Sequence, residues 1–182
     1  MALMLNRQDV ADVLSMKDCI DILEKAFIDF KEGRADMPQR TPITAPDHAG
    51  LALFMPCYLR GLGALGIKTV TVYKDNPAKY KLPNVMGTIT LLDEKTGSTL
   101  AIMDGGYLTG MRTGAVAGLA SKYLANPDSG VMGMLGTGVM AKFQLMAVAA
   151  VFPLTKVKVY SIDKPAQIRE FRDEMQEKTG VK

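Results

Sequence analysis

Histidine is almost missing from this chain: His48 is the only one. A single imidazole leaves no room for a His-rich metal site, and no metal-ligand spacing appears elsewhere, so no metal is expected. Cysteine is nearly as scarce. Cys19 and Cys57 stand in unrelated contexts, which suits a reducing cytoplasm. No apolar run approaches the length that spans a bilayer, so no membrane partner is expected. Arg7, Asp9 and Asp12 interrupt any core of the signal-peptide kind. A strong excess of one charge is also lacking. The formal net charge is +3 and the basic residues are scattered, which argues against nucleic acid. There is no Gly-x-Ser-x-Gly elbow, and His48 lies in a Pro-Gly loop, so Ser-His nucleophilic chemistry has little support. What remains is ordinary: 182 residues, 48% hydrophobic and 23% charged, the composition of a soluble globular protein.

Residues 2–14 hold a short apolar run and then a turn or short helix. Ser15 reads as an N-cap with Asp18 three residues on. Met16, Ile20, Leu23, Phe27 and Phe30 follow at helical spacing to a stop at Gly33, the pattern of an amphipathic packing helix. From 37 to 100 the period shifts towards two, and strands are predicted over 40–45, 51–58, 64–73, 85–92 and 99–103. The separator Asp93-Glu-Lys-Thr-Gly97 is a hairpin signal. A run of strands after one helix predicts an α+β domain with a mostly antiparallel sheet. A helix over 107–125 follows. Beyond Asn126-Pro127 the character changes, which divides the chain into domains at 1–127 and 128–182. The second part reads as strand 131–135, a glycine turn, a helix to about 152, strand 157–160 and helix 164–179. This is β-α-β-α, the first half of a Rossmann-type parallel nucleotide-binding fold.

Three cations draw notice. Arg112 shares a helix face with Leu108, Ala115, Val116 and Leu119, near the helix N-terminus, where the dipole disfavours a cation. A guanidinium pointed inward there needs an anion, either an internal carboxylate or a ligand. Lys68 shares one strand face with Gly66, Val70 and Val72, and Arg40 lies between Pro38 and Pro42. Both can be read as rim charges; together with Arg112 they would form a carboxylate or phosphate pocket. Gly110, Gly114 and Gly118 recur every four residues in the same helix. Each costs about 1 kcal/mol against alanine, so something is expected to approach the backbone closely.

The turn Gly136-Thr-Gly138-Val-Met-Ala141 follows a strand and opens a helix, the context in which a glycine pattern predicts dinucleotide binding. Gly136 permits the turn, Gly138 lets a pyrophosphate reach the helix N-terminus, and Ala141 keeps the helix close to the strand. At the end of the second strand, Asp163 stands near the customary spacing of about 20 residues for a ribose-binding acid. It reads equally as the N-cap of the next helix. Ser161 lies directly after the strand and could donate to an NADP 2′-phosphate, so the choice of NAD or NADP stays open.

Taken in order, Met37-Pro-Gln-Arg40, Gly66-Ile-Lys68, Leu82-Pro-Asn-Val-Met-Gly87, Asp93-Glu-Lys-Thr-Gly97 and the block 100–115 resemble the ornithine cyclodeaminase/mu-crystallin family. That family includes archaeal-type alanine dehydrogenases and ketimine or pyrroline-carboxylate reductases. The resemblance implies an NAD(P)-dependent oxidoreductase on a small amino or imino acid. Arg40 and Lys68 would hold the substrate carboxylate, and Arg112 would stand between substrate and cofactor. Val139 and Met140 would offer N–H groups to the pyrophosphate. The first domain would carry both the substrate residues and a homodimer contact. Departures are Asn84, where the family often has a cofactor-touching threonine, and Ser161, where NAD-using members often have an aspartate. Family members also run on for well over a hundred residues beyond the position of Lys182, to a catalytic aspartate and the rest of the nucleotide sheet. The chain therefore reads as a fragment or a truncated product, or as half of something completed by another chain. A non-catalytic ligand- or cofactor-binding protein is the alternative.

Overall fold

The computed structural model describes residues 1–182. Two compact units divide them: Met1–Val13 with Lys25–Thr109, and Leu14–Glu24 with Gly110–Lys182. No helix is long and apolar enough to cross a membrane.

The first unit is built on one sheet. Its strands are β1 (Leu3–Leu5), β2 (Ala35–Asp36), β3 (Thr41–Ala45), β4 (Gly50–Leu59), β5 (Ala64–Tyr73), β6 (Val85–Leu92) and β7 (Thr99–Asp104). They lie in the order β1-β7-β6-β5-β4-β2, with β3 also paired to β4. All pairings are antiparallel except that of β1 with β7. β5 is rich in β-branched residues that fit a pleated surface, and it sits in the middle of the sheet. Asp93 builds the β6–β7 turn: its Oδ1 accepts from the N–H groups of Lys95 and Thr96 at 3.0 and 2.8 Å. Gly97 closes the turn at φ 72°, a left-handed position that glycine takes without strain.

Three short elements depart from the sequence reading, one of them the two-residue β2. The apolar run near the N-terminus is β1, too short at three residues to show a period. The Asn76-Pro77 separator carries a helical turn, α3 (Asn76–Lys79), after α1 (Arg7–Val13) and α2 (Met16–Lys31). Asn76 is buried there and donates from Nδ2 to the Pro83 carbonyl at 3.1 Å.

Ser15 caps α2 as expected, its Oγ accepting from the Asp18 N–H at 3.1 Å. The packing-helix reading holds only for the first half of α2. Met16, Cys19 and Ile20 are buried, whereas Phe27 and Phe30 remain 50% and 57% exposed.

The second unit contains most of α4 (Gly105–Leu124), then β8 (Val131–Leu135), α5 (Val139–Val151), β9 (Lys156–Tyr160) and α6 (Pro165–Thr179). β8 and β9 are parallel, with Val131 opposite Lys156 and Leu135 opposite Tyr160. Met134, Ala141, Leu145, Phe171 and Met175 form the core beneath them. Gly110, Gly114 and Gly118 of α4 do what their spacing predicted. A methyl at Gly114 would come within 2.5 Å of the Phe143 carbonyl oxygen, and one at Gly118 within 2.8 Å of that of Ala147. α5 therefore lies against the bare backbone of α4.

Candidate functional site

The turn between β8 and α5 is shaped by two glycines in different backbone states. Gly136 has φ 90°, and its N–H donates to the Tyr160 carbonyl at 2.7 Å, extending the β8–β9 ladder by one bond. Gly138 is the N-cap of α5 at φ −72° and ψ −178°, a conformation open to any residue. A Cβ placed on it would meet nothing within 4 Å. The first turn of α5 has no side-chain cap. The N–H groups of Val139 and Met140 belong to the set that a helix leaves without internal partners, at its positive end. Val139 is exposed, and Ala141 is buried in the core as the pattern requires.

Asp163, just past β9, lies beside this turn. Its Oδ2 accepts from the Ser161 hydroxyl at 2.6 Å and from the Thr137 hydroxyl. These two bonds, Ser161 first, hold the carboxyl below its usual range. Asp163 is not the N-cap of α6; that position belongs to Lys164, whose N–H donates to Gln167 Oε1 at 3.2 Å. Thr137 had no role in the sequence reading. Its link to Asp163 joins two loops that are distant in the chain, which no local pattern reports. Thr137, Gly138, Lys142, Asp163, Gln167 and Glu170 line a cleft of about 260 Å³. Lys142 is engaged by Glu174, whose carboxyl is held down by Lys142 and then by Lys178.

In the first unit, the register of the sheet explains the setting of Lys68. It stands opposite Met55 on β4 and Ile89 on β6, and Ile89 stands opposite Met103 on β7. Directly opposed residues share a face. On that face β4, β5 and β6 offer leucine, methionine, cysteine, alanine, glycine, valine and isoleucine, with Lys68 the single charge. Lys68 itself is half-buried. Arg40 is exposed and precedes β3 by one residue. The paired register of β3 begins at Thr41 against Phe54, one residue after Arg40.

Arg112 belongs to the second unit, on α4. It is half-buried between Met111 and Ala115, which are fully buried. Its charge reaches Cys19, whose thiol burial pushes up and Arg112 pulls down. Arg112 lies farther from the helix N-terminus than its spacing implied. The helix starts at Gly105, two residues earlier than expected, and Asp104 Oδ1 caps it by accepting from the Tyr107 N–H at 2.7 Å. Arg112 therefore sits two turns in, past the reach of the terminal dipole. Asn84 lies in the first unit, exposed, at the foot of β6, and its carbonyl accepts from the Tyr73 N–H at 2.9 Å. Ser161, Asp163, Gly136, Gly138, Val139 and Met140 are thus gathered at the carboxyl ends of two parallel strands, while Arg40 and Lys68 belong to the first unit. No three His, Cys, Asp or Glu side chains gather as a metal would need.

The sequence and the fold recur in known proteins. The chain is 38% identical over 164 residues to an alanine dehydrogenase of Archaeoglobus fulgidus, which covers 90% of this chain and 49% of that one. Its fold matches the Δ1-pyrroline-2-carboxylate reductase of Thermococcus litoralis, solved with NADH and L-proline, at a TM-score of 0.90 and 43% identity. That match covers 99% of this chain and 55% of the reductase. An archaeal alanine dehydrogenase dimer with bound NAD superposes at a TM-score of 0.89 and 36% identity, over 99% of this chain and 54% of that one. The chain spans about half the length of the curated relatives it matches. The sequence profile of one family matches residues 1–182 from end to end, glycine turn and lysine-bearing sheet together, and the chain belongs to that ornithine cyclodeaminase/mu-crystallin family.

Proposed function

We propose that this chain carries the substrate and cofactor residues of an NAD(P)-dependent oxidoreductase acting on a small amino or imino acid. The observation that carries the reading is Gly138. Its backbone conformation needs no glycine and its Cβ side is empty. A glycine without a local structural reason, set over the uncapped first turn of α5, fits a pyrophosphate that must approach the backbone closely. Gly136, Gly138, Val139 and Met140 would hold that pyrophosphate, with Ser161 and Asp163 at the adenosine ribose and Asn84 and Arg112 nearer the nicotinamide. The bound cofactor would supply or accept the hydride at the substrate α-carbon.

The chain's own residues do the positioning. Arg40 and Lys68 would fix the substrate carboxylate, and Arg112 would add a third cation for the substrate and cofactor anions. Holding both reactants in one geometry turns a bimolecular encounter into an intramolecular step. Residues 1–127 carry the substrate contacts, the nicotinamide-side residues Asn84 and Arg112, and a homodimer contact, and 128–182 the pyrophosphate and ribose contacts. A cytosolic setting suits two free thiols.

The test pairs binding with turnover on the purified protein. NADH and NADPH are titrated by fluorescence, and oxidation of L-alanine, L-proline or L-ornithine is followed by the absorbance of the reduced cofactor. Expected is dinucleotide binding, turnover of one of these substrates, and a loss of about a hundredfold in turnover for Lys68→Ala and Arg112→Ala. Lys68→Ala should keep its NADH affinity. Binding without turnover would convert the reading to a non-catalytic binding protein, and absence of any dinucleotide binding would overturn it.

A further inference from the structure

We infer that Asp163, held in place by Thr137 and Ser161, makes this site select NAD(H) over NADP(H). The inference rests on the dinucleotide reading above and deepens it. The two cofactors differ at the adenosine ribose, where one presents a 2′-hydroxyl and the other a 2′-phosphate dianion. A carboxylate accepts from the hydroxyl and repels the phosphate. Ser161 follows β9 directly, and alone it would suit the phosphate by donating to it. Here its hydrogen is already committed to Asp163 Oδ2, and so is that of Thr137. Ser161 Oγ in turn accepts from the Asp163 N–H at 3.2 Å, closing the small ring. Neither hydroxyl is left to greet a phosphate.

With Oδ2 occupied twice, Oδ1 of Asp163 remains to accept from a ribose hydroxyl. Thr137 comes from the glycine turn itself, so the carboxylate is tied to the element that would seat the pyrophosphate. An acid normally expected at the strand end has thus moved two residues along and been brought back by two hydrogen bonds. The rest of the cleft agrees. Glu170 adds a second negative charge, and Lys142 is drawn to Glu174. Ile162, 94% exposed beside Asp163, offers an apolar surface of the kind that a flat base covers. Lys164 is the neighbouring cation, exposed at the start of α6, and a site built for the 2′-phosphate would have to rely on it.

The experiment measures Kd for NADH and NADPH by fluorescence and calorimetry on the wild type and three variants. The wild type should prefer NADH by at least about tenfold, the least that a like charge set against the 2′-phosphate should cost. Asp163→Asn keeps the shape and removes the charge, and it should bring the two Kd values to within about threefold of each other. Thr137 is a positioning residue: Thr137→Val should lower the preference by loosening Asp163, and Thr137→Ser should restore it. Equal or tighter binding of NADPH by the wild type, or an unchanged ratio in Asp163→Asn, overturns the inference while leaving the dinucleotide site standing. Failure to bind either cofactor overturns the dinucleotide reading itself, and the selectivity with it.

Discussion

Gly136 and Gly138 stand two residues apart in one turn and are glycine for different reasons. Gly136 holds φ 90°, where a Cβ clashes with its own backbone, although nothing else lies within 4 Å. Gly136→Ala should therefore cost about 1–2 kcal/mol of stability, read as a lower thermal midpoint. Gly138 holds an ordinary φ with free space beside it. Gly138→Ala should leave the midpoint where it was and weaken NADH binding, because the methyl takes the space assigned to the pyrophosphate. Thermal unfolding and cofactor titration on both variants separate the two roles. Equal NADH affinity in Gly138→Ala would place the pyrophosphate elsewhere. The sequence shows both glycines alike; the dihedral that separates them exists only in the folded chain.

At the scale of elements, the contact of α4 with α5 shows how a glycine row is used. Gly110, Gly114 and Gly118 bring one stripe of α4 onto Phe143 and Ala147, with backbone rather than side chain opposite Gly114 and Gly118. Backbone cannot rotate away, so Gly114→Ala must push α5 outward, at about 1–3 kcal/mol. Gly106, in the first turn of the same helix, is exposed and has only the Asp104 side chain at 3.6 Å. Gly106→Ala should be neutral or stabilise by up to about 1 kcal/mol through helix propensity. Chemical denaturation of the pair checks this, and equal effects would mean that the helix contact is slack. The four-residue glycine period was legible in the sequence because it is local. So were β5, β6 and β8, whose alternation or apolar runs are bounded by clear turn residues. β1 was not, since its meaning comes from pairing with β7 almost a hundred residues away. The register that sets Lys68 between Met55 and Ile89, and the bonds that turn Ser161 and Thr137 onto Asp163, are likewise tertiary facts. Residue types and spacing named these side chains as candidates without showing which would meet.

For the molecule as a whole, the burial of apolar side chains is lopsided. The buried apolar residues almost all belong to the second unit, and the first contributes only Val10 and Ala101. Its sheet has ten-residue strands β4 and β5 at the middle, yet nearly every residue along them is only half-buried. Phe27, Ile28, Phe30 and Ile43 are about half exposed in the same unit. Apolar burial stabilises by about 25 cal/mol per Å², and a sheet this thinly covered leaves much of that unrealised. The homodimer contact already proposed for residues 1–127 would cover that surface. If pairing supplies the missing burial, the folded unit is stabilised by mass action, and its thermal midpoint depends on concentration. Raising the protein from about 1 to about 100 μM should raise the midpoint by several degrees, while sedimentation equilibrium reports twice the 19.7 kDa chain mass at the higher concentration. A midpoint that ignores concentration, with the mass of a single chain throughout, would show that this surface is tolerated bare and would remove the homodimer from the proposal.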